Sequence, residues 1–62
     1  MPVITLDTAA LTKEKKAALV ETLTRDASDI TGIPREKFSV LINELDRDNI
    51  GVGGQLLSKI LG

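Results

Sequence analysis

The chain has 62 residues, with eight Lys plus Arg against nine Asp plus Glu, a formal net charge of −1, no Cys, no His and a single aromatic, Phe38. So even a balance argues against nucleic acid or an anionic membrane as the main partner, since both call for a basic excess. Without Cys there is neither a disulfide nor a thiolate nucleophile, and without His there is no imidazole base. Carboxylates remain as metal ligands, but none stands at a recognisable spacing. No apolar run approaches the roughly 20 residues of a membrane span. The N-terminus also lacks a basic stretch followed by an apolar one, so the expectation is one cytoplasmic domain over residues 1–62. A domain of about 60 residues buries only about 60% of the surface its unfolded chain exposes. With no staple in the sequence, association of subunits is the remaining source of burial.

Residues 3–8 (Val-Ile-Thr-Leu-Asp-Thr) are β-branched and alternate, with Val3, Thr5 and Asp7 on one face and Ile4, Leu6 and Thr8 on the other. They predict a strand, and Pro2 is tolerated at its start. Thr12 is a fair N-cap for a helix from Lys13 to about Thr31. Leu19, Val20, Leu23, Ala27 and Ile30 define its apolar stripe, and Glu21–Arg25 forms an i,i+4 pair in the favourable order. Gly32 supplies a left-handed C-cap, and Pro34 prevents continuation.

The second strand spans residues 38–45, Phe-Ser-Val-Leu-Ile-Asn-Glu-Leu. Phe38, Val40 and Ile42 would face the helix, while Leu41 and Leu45 carry apolar surface on the opposite face. A strand apolar on both faces is covered on both, and one helix covers only one. Asp46-Arg47-Asp48-Asn49 reads as a polar turn and Ile50-Gly-Val-Gly-Gly as a tight hairpin. The tail, Gln55 to Gly62, carries Leu56, Leu57, Ile60 and Leu61 and is expected to pack on a neighbouring subunit. Strand, helix, strand makes a β-α-β unit with parallel strands and a right-handed crossover. The fold class is therefore α+β: one β-α-β unit with a C-terminal hairpin.

Few residues carry chemistry. The glycine run lacks the Lys-Ser/Thr ending of a phosphate loop and reads as a hairpin. Lys13, Lys15 and Lys16 read as a solvated basic face, and Asp46 and Asp48 as solvated turn residues. The exception is Met1-Pro2. Removal of the initiator Met before a small residue leaves Pro2 with a free secondary amine. An ordinary α-amino group titrates at about 7.7–8.0. Apolar walls or nearby cations disfavour its protonated form. Such an amine can take a proton beside a carbonyl and return it elsewhere.

Taken together, Pro2-Val-Ile-Thr-Leu at the start, a β-α-β unit of this length, Glu44, and Asn49-Ile-Gly-Val-Gly-Gly before a short apolar tail resemble the 4-oxalocrotonate tautomerase family over essentially the whole chain. The resemblance implies a small homo-oligomer, commonly a hexamer built as a trimer of dimers. It implies an amino-terminal proline acting as general base and acid in tautomerisation of 2-oxo and 2-hydroxydienoate acids, with no cofactor or metal. Pro2 takes that role by position.

Three substrate-side positions depart from the family's pattern. The arginine that ends the first loop is replaced by Leu11-Thr12 in a loop one residue shorter. A second arginine, early in the second strand, falls on Ser39, and the aromatic wall of the pocket falls on Ile50. Arg to Ser removes a fork of donors suited to a carboxylate. Arg35, Lys37, Arg47 and Lys59 are the candidate replacement cations, from the same or a neighbouring subunit. The resulting expectation is an isomerase that acts on an enolisable organic acid. The alternatives are a non-catalytic oligomeric subunit, one chain of a mixed oligomer, and a proline-assisted decarboxylase or dehalogenase.

Overall fold

Two six-residue strands, β1 (Val3–Thr8) and β2 (Ser39–Glu44), lie side by side and parallel, joined by the 19-residue helix α1 (Lys13–Thr31). The computed structural model describes residues 1–61; Gly62, the last residue of the tail, lies outside the described residues. The β1–β2 register runs from Val3 opposite Ser39 to Thr8 opposite Glu44. A 3₁₀ turn, Arg35–Lys37, leads into β2, and a second, Arg47–Asn49, leaves it. The chain closes with an antiparallel hairpin, β3 (Gly51–Val52) and β4 (Gln55–Leu56), and the short helix α2 (Leu57–Leu61). This is the expected β-α-β unit with its C-terminal hairpin. The polar turn is a 3₁₀ turn, and part of the apolar tail is helical.

The local signals that delimit α1 act as their chemistry requires. Thr12 is extended and its Oγ1 accepts from the Lys15 amide at 3.2 Å, satisfying one of the free donors of the first turn. At the other end Gly32 takes φ +76° and donates its amide to Ser28 O at 2.9 Å, a left-handed stop that a Cβ disfavours. Ser28 Oγ then donates to Ile33 O at 2.6 Å, tying the last turns to the exit. The hairpin uses the same freedom at Gly53 and Gly54, with φ of +60° and +84°. The expected Glu21–Arg25 pair is replaced: Arg25 pairs instead with its neighbour Asp26 at 3.3 Å, an exposed contact of little energetic weight.

α1 covers one face of the two-stranded sheet. Ile4, Leu6, Val40 and Ile42 are half-buried beneath Leu19, Leu23 and Ala27. Ile30 continues that stripe in sequence but is 85% exposed. The reason is length: 19 helical residues span about 28 Å, whereas six strand residues span about 20 Å. The last turn overhangs what one chain offers. The opposite sheet face is bare, and Leu41 on it is 53% exposed.

As a result the single chain has no interior. Among the described residues no side chain is fully buried. The accessible surface is 4743 Å², against about 3,900 Å² for a folded monomer of this mass. The radius of gyration is 14.7 Å, against about 11 Å for a compact chain of this length.

Gly32 offers a clean test of the helix stop, because a Cβ built there meets nothing within 4 Å. Any cost of Gly32→Ala is therefore conformational and is expected at about 1 kcal/mol. Gly32→Asn should recover part of it, since Asn tolerates the left-handed region better than other side chains. Thermal or urea unfolding of the three proteins checks both, and an Ala variant as stable as the parent would refute the assignment.

Candidate functional site

The parallel register sorts the candidate site residues to two ends of the sheet. Pro2 immediately precedes β1, and its carbonyl accepts from the Ser39 amide at 3.0 Å. That bond extends the ladder by one step and fixes the proline beside the start of β2. Pro2 and Ser39 are both half-buried. Two of the three expected site residues are thus neighbours, held by backbone rather than by side-chain contact.

Ile50, the third, is placed elsewhere. It follows the 3₁₀ turn that leaves the far end of β2, where its amide donates to Arg47 O at 3.3 Å and its carbonyl accepts from the Leu57 amide at 2.7 Å. The length of β2 separates that end from Pro2, roughly 20 Å along a six-residue strand. Within one chain Ile50 does not wall the space around Pro2.

The same sorting applies to the candidate cations. Arg35 and Lys37 occupy the turn that delivers the chain to Ser39, at the Pro2 end. Arg47 lies in the turn beyond β2, and Lys59 in α2, which packs on that turn. Leu11 and Thr12 also lie at the far end, between β1 and the start of α1. Thr12 caps the helix, and Leu11 donates its amide to Glu44 Oε2 at 2.9 Å.

Glu44 forms a clasp that the sequence did not signal. Besides Leu11, it accepts from Lys16 Nζ at 2.8 Å through Oε1, so one carboxylate joins the end of β2, the β1–α1 connection and the first turns of α1. Lys16 is therefore engaged, unlike the solvated lysine expected. The Lys16 hydrogen bond first, and the Leu11 amide second, hold the Glu44 carboxyl below its ordinary value of 4.5, opposed by a smaller desolvation. Asp46 and Asp48 are likewise in use rather than merely solvated. Asp46 Oδ1 accepts from the Asp48 amide at 3.1 Å, and Asp48 Oδ1 accepts from Ser58 Oγ, which fastens α2 to the turn.

A hollow of about 620 Å³ lies at this far end, lined by Ala10, Glu44, Asp46, Arg47 and Ser58 among others. It is broad, mixed in charge and remote from Pro2, and its carboxylates and hydroxyl already serve structural bonds. Among the described residues no group of three or more acidic side chains is placed to hold a metal ion. No helix is long and apolar enough to cross a membrane, judged on the same residues.

Comparison with known proteins points the same way as the fold. The family model described as "Tautomerase enzyme" matches residues 2–60. A probable tautomerase of Bacillus cereus is 43% identical over 47 residues, covering 76% of this chain and 77% of that protein. The crystal structure of YwhB, a homologue of 4-oxalocrotonate tautomerase, superposes with a TM-score of 0.87 at 36% identity, covering 92% of this chain and 95% of that one. DmpI from Archaeoglobus fulgidus gives 0.86 at 38% identity over 92% and 98% of the two chains.

The Glu44 clasp predicts an acid-side stability change. A carboxyl held low in the folded state favours folding above its unfolded value, and that contribution disappears as pH falls through the lowered folded value. Urea midpoints measured between about pH 6 and pH 3 should therefore fall more steeply for the parent than for Glu44→Gln. Parallel slopes would show that the clasp is not formed in solution.

Proposed function

The chain belongs to the tautomerase family, and from that premise we propose that it is an isomerase whose general base and acid is the amine of Pro2, exposed by removal of Met1. The observation that carries this reading is the Ser39–Pro2 hydrogen bond at 3.0 Å. It ties the proline to β2 at the head of β1, directly after Met1. Met1 is 91% exposed, within reach of an aminopeptidase. While Met1 is attached, the Pro2 nitrogen is a tertiary amide without a basic lone pair. Once it is free, the nitrogen accepts the hydroxyl proton of an enolic 2-hydroxy acid. The resulting ammonium then delivers a proton to the carbon end of the conjugated system, so the amine is regenerated and no proton is gained or lost overall.

The substrate class proposed is an enolisable 2-oxo or 2-hydroxydienoate acid. The working form is a homo-oligomer, with the family's hexamer as the expected size. Support for assembly comes from the bare sheet face around Leu41, the overhanging Ile30 and Leu61, which is 59% exposed on α2. Identical neighbours are the occupants proposed for these surfaces, because the excess accessible surface belongs to elements of the fold itself. An assembly of that kind also explains how Ile50 of one copy can wall the space near Pro2 of another.

Intact mass should show a chain lacking Met1, and that protein should ketonise the enol of phenylpyruvate or a simple 2-hydroxydienoate. Pro2→Ala should lower kcat/KM by about 100- to 10,000-fold while leaving the circular dichroism spectrum unchanged. Full activity in Pro2→Ala, or in protein that retains Met1, would remove the proline from the reaction. Absence of turnover by processed protein across a panel of enolisable acids would remove the isomerase.

Assembly is tested separately. Leu41→Asp places a charge at the centre of the bare sheet face, where burial in an interface would leave it unpaired. Native mass spectrometry should show the parent as an oligomer and the variant shifted toward smaller species. A monomeric parent would refute the assembly.

A further inference from the structure

Resting on the Pro2 reading, we propose that Lys37 is the specificity-determining cation of this chain, the group that receives the substrate carboxylate beside Pro2 in place of the arginines absent at Leu11-Thr12 and Ser39. Register is the first ground. Val3 stands opposite Ser39, and the Ser39 amide donates to Pro2 O at 3.0 Å. Lys37 is the last residue of the 3₁₀ turn that delivers the chain to Ser39, two residues before the strand position bonded to Pro2. Removing Met1 frees the Pro2 nitrogen at this same end of the sheet.

The second ground is how the lysine is held. Its backbone is fixed by the 3₁₀ turn, with the Lys37 amide donating to Pro34 O at 3.0 Å and the Phe38 amide to Arg35 O at 3.1 Å. The side chain is exposed, and among the described residues neither it nor Arg35 enters an ion pair. The third ground is elimination by place. Lys16 is engaged by Glu44 and Arg25 by Asp26, while Lys13 and Lys15 start α1 at the far end of the sheet. Arg47 and Lys59 also belong to that end. Arg35 and Lys37 are the bases carried by the turn that enters β2 beside Pro2, and Lys37 is two residues nearer along the chain to the pinned Ser39.

A lysine here does two things that the chemistry needs. As a point charge on a flexible stem it binds one carboxylate without demanding the two-pronged geometry of an arginine. As a cation near an amine it also disfavours the protonated amine, leaving more of the base in its working form. The ligand class is thus a monocarboxylate joined to an enol or ketone, with the carboxylate toward the 3₁₀ turn and the enol toward Pro2.

The test compares processed parent, Lys37→Ala, Lys37→Arg and Arg47→Ala. Two readouts are taken: ketonisation of phenylpyruvate enol and of its methyl ester, and binding of benzoylformate, a 2-oxo acid with no enolisable hydrogen. The expected result is a rise of roughly 10- to 100-fold in KM and in benzoylformate Kd for Lys37→Ala, the scale of one charge-assisted hydrogen bond. The KM for the ester should be unaffected, Lys37→Arg should restore most of the loss, and Arg47→Ala should match the parent. Equal losses on acid and ester, an unchanged Lys37→Ala, or a loss confined to Arg47→Ala would overturn the assignment while leaving the Pro2 reading intact. Lys37-dependent binding of benzoylformate without any turnover would uphold the assignment and overturn the Pro2 chemistry.

Discussion

The constraint on which everything else depends is that two strands and one helix cannot enclose a core. A helix laid on a two-stranded sheet covers one face and leaves the other to solvent, and here that other face carries Val3 and Leu41. The hairpin and α2 do not fold back to cover it. They extend from the far end of β2, which gives the chain an extent of 42 Å along its longest axis. Such a shape is a poor monomer but a reasonable building block. Each apolar surface it exposes is an edge, a face or an arm, the kinds of surface that a second copy can match.

Parallel strands impose a polarity on this block. Both begin at one end, so the start of the chain and the entry to β2 are brought together there. Both finish at the other, where the first loop, the start of α1 and the exit of β2 converge on Glu44. The two ends carry different chemistry for that reason. The Pro2 end has a terminus, a backbone hydrogen bond and a cationic turn. The Glu44 end has the ion pair, the caps and the wide hollow. The hollow lies where the polar groups already serve structural bonds, whereas the Pro2 end carries cations that enter no ion pair among the described residues.

Much of the architecture was legible in the sequence because it rests on local rules. Thr12, Gly32 and Pro34 delimit α1 at the expected residues, and alternation in residues 3–8 and 38–45 predicts both strands and their covered faces, the second forming over Ser39–Glu44. What escaped depended on tertiary geometry. Nothing in the spacing of Lys16 and Glu44 announces that a parallel register will bring the end of β2 to the first turns of α1. The Glu21–Arg25 expectation followed the i,i+4 rule, yet Arg25 bonds the adjacent Asp26 instead; on an exposed helix face the two arrangements differ by little energy. Ile30 fits the stripe by period but not by reach, since periodicity reports direction around the helix and says nothing of where the sheet ends. At the site, Pro2 and Ser39 come together through the register, whereas Ile50 stands apart, beyond the far end of β2.

The substrate side of the proposed reaction follows from the same geometry. An amine base needs surroundings that keep it neutral and a partner that positions an anion, and a guanidinium at the site supplies both. With Ser39 in the strand and Leu11 and Thr12 committed to the clasp and the cap, no guanidinium sits at those positions. An apolar wall alone favours the neutral amine but also penalises the bound carboxylate, so it meets one requirement at the expense of the other. A cation near Pro2 meets both at once. Because the strands are parallel, the segment that enters β2 is the nearest source of one in the same chain, and that segment carries Arg35 and Lys37.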